Sequence, residues 1–231
     1  MPSLLRRSVA EGLGTFALVF IGAGSVLSEN FARYGVLGVS IAHGLVLAVM
    51  VTATMSISGG HLNPAVTIGL LVARRTTAVT AAAYIAAQLI AAVLAALLLQ
   101  TVYPIGVTRA VSLGAPVVAS SITLGQAIGI ETILTFFLVS AVFGTCVNPD
   151  APKVGGFGIG LVLVFDILVG GPLTGAAMNP ARAFGPALVS GQWVGQIVYW
   201  VGPLVGGILA ALLWQHVLLP RAPALRRRKT D

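Results

Sequence analysis

Six stretches of roughly 20 apolar residues run through the chain, at about 8–29, 36–57, 78–101, 123–145, 155–172 and 194–217. A helix of about that length is needed to cross the hydrocarbon core of a bilayer. Two further apolar runs, at 64–73 and 180–189, hold only around ten residues. At 1.5 Å of rise per residue such a run reaches about 15 Å, half a membrane. Each short run opens on Asn-Pro, as Leu62-Asn63-Pro64-Ala65 and Met178-Asn179-Pro180-Ala181-Arg182. Asn is a strong N-cap and Pro is favoured at the first helical position, so both motifs predict helix starts.

The segments before the two motifs, Ser58-Gly59-Gly60-His61 and Gly170-Gly171-Pro172-Leu173-Thr174-Gly175, are rich in Gly and Pro. Irregular backbone is tolerated at membrane depth only where it lines a watery cavity or is buried in protein. Paired half-helices in corresponding parts of a chain point to a transport pathway. The halves do correspond: Glu11, Thr15 and Phe16 in the first span are echoed by Glu131, Thr135 and Phe136 in the fourth. Glu131 follows Glu11 by 120 residues and Asn179 follows Asn63 by 116, so two landmarks agree on one duplication. The predicted organisation is a single transmembrane domain over 1–231 with repeats at about 8–101 and 123–217. Three spans per repeat is an odd number, so the second repeat must be inverted.

Composition agrees with the pattern. Hydrophobic residues make up 57% of the 231 positions and charged residues 8%, against about 25% charged in soluble domains. The stretch to about Ser28 carries Glu11 and is too long and Gly-rich for a signal peptide, so it reads as the first span. The net charge of +7 comes from basic clusters beside apolar segments, a distribution that orients a chain in the bilayer and predicts no nucleic-acid partner. Arg6, Arg7, Arg74, Arg75, Lys153, Arg221, Arg226, Arg227, Arg228 and Lys229 fall on one side and Arg33 and Arg109 on the other. Both termini are therefore expected in the cytoplasm, with the protein multi-pass in the plasma membrane. A lone cysteine, Cys146, excludes an internal disulfide. No nucleophile, base and orienter set stands out, and no metal-ligand cluster, so neither an enzyme, a metal site nor a cofactor is expected.

Two Asn-Pro-Ala motifs on half-spans, His61-Leu62 before the first, Arg182 after the second and the paired Glu residues resemble the aquaporin, or major intrinsic protein, family across nearly the whole chain. The resemblance implies an all-α membrane fold of six transmembrane helices plus two re-entrant half-helices in an inverted repeat. It implies a homotetramer with a pore in each protomer, passing water and small neutral solutes through the lipid bilayer. Asn63, Pro64, Ala65, Asn179, Pro180 and Ala181 would form the midplane constriction. Glu11, Glu131 and Gln88 would support the two re-entrant loops, and His61 would line the cytoplasmic vestibule.

Arg182 corresponds in the family to a narrow selectivity filter. Spacing places His43, 20 residues before Asn63, Ile167, 12 before Asn179, and Ala176, three before it, in the same ring. That set is similar to the filter of the tonoplast intrinsic proteins of plants, in a chain whose short loops and basic tail resemble prokaryotic members. With Ile167 where strictly water-selective members resemble a His, ammonia, urea and hydrogen peroxide are expected to accompany water. Ala183 stands where glycerol-conducting members carry Asp, and with Ala187 and Tyr199-Trp200 it resembles the water-channel branch. A glycerol-type facilitator is the nearest alternative. A coupled transporter, with Glu11 and Glu131 as proton carriers, and a structural junction are more distant. Asp166 has no assignment.

Overall fold

The protein is described by a computed structural model over residues 2–220. The basic tail from Arg221 to Lys229, expected to anchor topology, lies outside the described residues. Among the described residues six helices are long and apolar enough to cross a membrane: α1 (Leu4–Ala32), α2 (Gly35–Thr54), α4 (Ala78–Val102), α6 (Leu124–Val142), α7 (Phe157–Thr174) and α9 (Val198–Leu213), α6 and α9 taken with the π-turns that continue them to Val147 and Leu218. Two short helices, α3 (Pro64–Val72) and α8 (Pro180–Ser190), occupy the predicted half-spans. A six-residue helix, α5 (Ile105–Ala110), follows α4 and had no counterpart in the apolar pattern.

The boundaries follow from caps that hydropathy does not register. Ser3 accepts a bond from the Arg6 amide and starts α1 well before residue 8. Thr123 and Gln126 close a reciprocal capping box on α6, satisfying two backbone donors that a helix start otherwise leaves open. The second span ends at Thr54 rather than 57, because Met55 to Ser58 form turns. The stretch from Gly170 to Thr174, expected as broken backbone, is helical: α7 runs through Pro172 and stops at Gly175, whose φ of 79° is left-handed. The sixth span begins at Val198 rather than 194, after a run of turns. Single π-turns, Phe143–Val147 and Trp214–Leu218, extend α6 and α9.

Packing repeats itself. α1 packs on α4 as α6 packs on α9, and α1 on α2 as α6 on α7. Each short helix crosses over: α3 packs on α9, and α8 on α4. α2 and α7 meet at the joint between the halves. They approach there through Gly44 and Gly160, where a Cβ on Gly44 would stand 2.6 Å from the Gly160 carbonyl oxygen. No side chain fits at that crossing. Small residues allow such backbone contact where lipid supplies no hydrophobic drive between helices.

The largest buried apolar cluster includes Leu18, Leu47, Val51, Val66, Leu138, Val142, Ile159 and Leu163. All eight also line an internal cavity. The core of this protein is therefore the wall of a lumen.

Candidate functional site: two half-helices meeting in a narrow cavity

Asn63 and Asn179 cap α3 and α8 as their sequence predicts. The Asn63 side chain accepts from the Ala65 amide at 2.8 Å, and that of Asn179 from the amides of Ala181 at 3.0 Å and Arg182 at 3.3 Å. Pro64 and Pro180 occupy the first helical turn, with Ala65 and Ala181 fully buried behind them. The two caps also join the halves. Asn63 Nδ2 donates to the Met178 carbonyl and Asn179 Nδ2 to that of Leu62, each at 2.9 Å. Both half-helices thus start at the same place, pointing their N-termini at one another. One amide N–H of each Asn is engaged in this exchange, which the sequence did not reveal.

Leu62 and Met178, the residues just before the caps, have left-handed φ of 51° and 50°. Backbone of this kind costs about 1–3 kcal/mol at a non-glycine residue and persists only where its surroundings over-determine it. Here both ends of each residue are held. The Glu11 carboxylate accepts from the Leu62 amide at 2.6 Å, the His61 amide at 2.9 Å and the Ser58 hydroxyl at 2.6 Å. The Glu131 carboxylate accepts from the amides of Met178 at 2.8 Å and Ala177 at 2.9 Å and from the Thr174 hydroxyl at 2.7 Å. Both carboxylates are fully buried, so these donors replace the water they have lost.

The buttress extends further than Glu11, Glu131 and Gln88. Gln88 Nε2 donates to Glu11 at 2.9 Å and to the Thr67 hydroxyl at 3.2 Å. Tyr84 donates to the Ser58 carbonyl at 2.8 Å, and Tyr199 to the Thr174 carbonyl at 2.7 Å. Sequence reasoning missed Ser58, Thr174, Tyr84 and Tyr199. A signal existed: Ser58 and Thr174 each precede their Asn by five residues, and Tyr199 follows Tyr84 by 115. Gln88 has no such partner, and the Glu131 side of the structure lacks this fourth donor.

Two cavities adjoin the junction. The first, lined by His61, Asn63, Ala176, Asn179 and the apolar wall, opens toward the side on which the chain begins. The second, lined by Val36, Val39, Val117, Ile167 and Gly175, opens to the far side. His43 and Arg182 line both, so they form the partition, with Ile167 on one side of it and Ala176 on the other. The first cavity leaves about 20 Å³ for the centres of water-sized molecules and the second about 260 Å³. Since about 10–15 Å³ of such volume holds one water, the inner cavity has room for one or two water molecules.

Arg182 is 4% exposed. Its Nη1 donates to the Gly114 carbonyl at 3.0 Å and its Nη2 to His43 Nε2 at 3.3 Å, while Nε has no protein partner. Arg carries only donors, so His43 accepts at Nε2, and its Nδ1 donates to the Val39 carbonyl at 2.9 Å. The ring sits where Gly22 leaves space: a Cβ there would fall 2.5 Å from His43 Nε2. Gly114 ends a run of three left-handed residues, Ser112, Leu113 and Gly114, and lies against Ala23 of α1. Nothing in the linear pattern marks that connector as a partner of Arg182. His61 Nδ1 stands 3.1 Å from the Thr67 hydroxyl and its ring packs edge-on against Tyr84. Asp166 is buried on α7 with Oδ2 unpartnered and lines neither cavity.

Six spanning helices around two half-helices that meet in a narrow, donor-lined cavity define a multi-pass membrane channel. The chain belongs to the major intrinsic protein family, whose match covers residues 1–214. It is 44% identical to the maize (Zea mays) aquaporin TIP4-4 over 98% of this chain and 93% of that one. It is 40% identical to human (Homo sapiens) aquaporin-2 over 96% of this chain and 82% of that one. The fold is shared with the aquaglyceroporin of Plasmodium falciparum, with a TM-score of 0.83, 24% identity, and coverage of 93% of this chain and 97% of that one. The proteins of this family are channels, not enzymes.

Proposed function

We propose that this chain conducts water and small neutral solutes, ammonia, urea and hydrogen peroxide among them, and excludes ions and protons. The observation that carries the reading is the reciprocal bond between Asn63 and Met178 and between Asn179 and Leu62, which sets two helix N-termini and two amide groups on one point of a cavity with room for one or two waters. Each helix N-terminus carries roughly half a positive charge, so the junction repels cations and leaves a neutral molecule unpenalised. One N–H of each Asn is used across the junction, and the other is available to a passing oxygen. A water accepting from both is oriented with its own protons pointing away along the lumen, which breaks a continuous proton wire.

His43, Ile167, Ala176 and Arg182 act as the selectivity filter, supported by their position at the partition between the cavities. Arg182 adds a full charge against cations and offers to the solute the Nη protons that Gly114 and His43 leave free. His43 contributes through the acceptor that holds Arg182, and Ile167 supplies an apolar wall. Glu11, Glu131 and Gln88 hold the re-entrant loops, and His61 lines the vestibule on the terminal side. The working state is a homotetramer in the plasma membrane with both termini in the cytoplasm and the two repeats inverted about the α2–α7 joint.

The test is stopped-flow permeability of proteoliposomes to water, ammonia, urea and glycerol, comparing the native chain with His43→Phe and Ile167→His. Water flux with a low activation energy and no coupled proton movement is expected, together with a higher ratio of water to ammonia in Ile167→His. An unchanged ratio would remove Ile167 from the filter, and strict proton coupling would replace the channel with a coupled transporter.

A further inference from the structure

We infer that the far side of the channel carries a binding site for the phosphodiester headgroup of a membrane lipid, centred on Arg109. A polar cleft of about 190 Å³ lies where α4, α5 and α8 converge, lined by Gln100, Thr108, Arg109, Ser112, Val189 and Ser190. It is separate from the conducting cavities, with which it shares none of these residues. At about 10–15 Å³ of such volume per water it holds roughly a dozen waters, enough for one hydrated phosphate group and too little for a whole lipid.

The donors in the cleft select an anion. Thr108 and Ser190 already donate their hydroxyl protons, to the Ile105 carbonyl at 3.0 Å and the Pro186 carbonyl at 2.7 Å. The Arg109 guanidinium, the Gln100 amide and the Ser112 hydroxyl make no hydrogen bond to another group among the described residues. A guanidinium matches two phosphate oxygens with parallel bonds, and neutral donors on either side complete the oxygens' coordination. The α4 and α8 helices end at the cleft, and their partial negative charge favours the Arg109 cation there, so the guanidinium is the group that must offset it for an anion.

The surroundings select a lipid over a free anion. On its outward face α4 presents the exposed apolar residues Ile90 and Leu97, seven residues apart, and Leu188 of α8 is exposed as well. An acyl chain laid along this stripe brings its phosphate to Arg109. Ile105, 66% exposed on α5, adds an apolar contact at the level of the cleft. Headgroup phosphate at the interface and chain against the helix is the arrangement that a polar cleft above an apolar stripe fits.

The experiment is native mass spectrometry of the full chain in detergent, titrated with phosphatidylglycerol or with the matching diacylglycerol, which lacks the phosphate. Phosphatidylglycerol adducts are expected on the native chain and diacylglycerol adducts are not. Arg109→Gln is expected to weaken the phosphatidylglycerol adduct about ten-fold, the scale of one charge-assisted hydrogen bond. Arg109→Lys, which keeps the charge, binds more tightly than Arg109→Gln, and Arg33→Gln, on the same side of the membrane, binds as the native chain does. An unchanged thermal midpoint and water flux in Arg109→Gln establish that the variant is folded. Equal binding by native and Arg109→Gln chains, equal binding of diacylglycerol, or displacement of the lipid by millimolar inorganic phosphate would each overturn the proposal.

Discussion

At the scale of single residues, the governing chemistry is the satisfaction of buried polar groups. Glu131→Ala would leave the Ala177 and Met178 amides without an acceptor and the Thr174 hydroxyl with only the long bond to the Gly170 carbonyl at 3.5 Å. Each buried donor left open costs about 1–3 kcal/mol, so the expected loss is about 3 kcal/mol or more, read as a lower unfolding midpoint in detergent together with loss of water flux. Gly22 makes a different kind of demand. Gly22→Ala would place a methyl 2.5 Å from His43 Nε2 and push the ring off Arg182. The variant should fold and still conduct water, but with an altered ratio of water to ammonia permeability; an unaltered ratio would show that His43 does not set the filter through Arg182. Ala176 faces the inner cavity and has no thiol, while Cys146, half-buried on the π-turn after α6, does not line it. Mercurials should therefore block the native chain weakly, and Ala176→Cys should become mercurial-sensitive in the same flux assay.

At the scale of elements, the two half-helices are short enough that their ends decide their stability. α3 has nine residues and α8 eleven, below the length at which isolated helices persist in water. Asn179→Ala removes the cap on Ala181 and Arg182 and the bond to Leu62 together. Loss of such a cap costs about 1 kcal/mol, with the cross-bond adding a comparable amount. A lower midpoint should be joined by an increased cation or proton leak, measured as pH dissipation in the same vesicles. Between long helices the close contacts are backbone to backbone. Gly44→Leu would force α2 off α7 at the Gly160 carbonyl, and overpacking of a tight contact costs about 1–3 kcal/mol or more. The measurement is the yield of folded protein and its unfolding midpoint.

At the scale of the whole molecule, one core serves both stability and conduction. Leu18, Leu47, Val51, Leu138, Ile159 and Leu163 are buried from lipid and yet form the lumen wall. An apolar wall gives a passing water few partners, so its hydrogen bonds fall to the polar groups at the Asn63–Asn179 junction and at His43 and Arg182. The outward surface is apolar in the other direction, with Ile41, Leu45 and Val49 of α2 and Leu161, Phe165 and Val169 of α7 exposed, as a chain surrounded by lipid or by copies of itself requires.

The sequence by itself determined the six spans, the two half-helices and their Asn-Pro starts, because apolar length and capping chemistry are local properties. It also paired Glu11 with Glu131 and Asn63 with Asn179, because a duplication leaves matching offsets. Tertiary structure alone decided what those residues touch. The left-handed backbone at Leu62 and Met178 carries no sequence mark, since neither is glycine, and it exists only because a buried carboxylate holds one side and the opposite Asn the other. The same is true of the Gly114 carbonyl on Arg182 and of Gly22 beneath His43, contacts between segments 68 and 21 residues apart. Hydropathy and caps report the energy of a segment with its solvent. A hydrogen bond between two such segments becomes visible only once the packing of the helices has brought its donor and acceptor within about 3 Å.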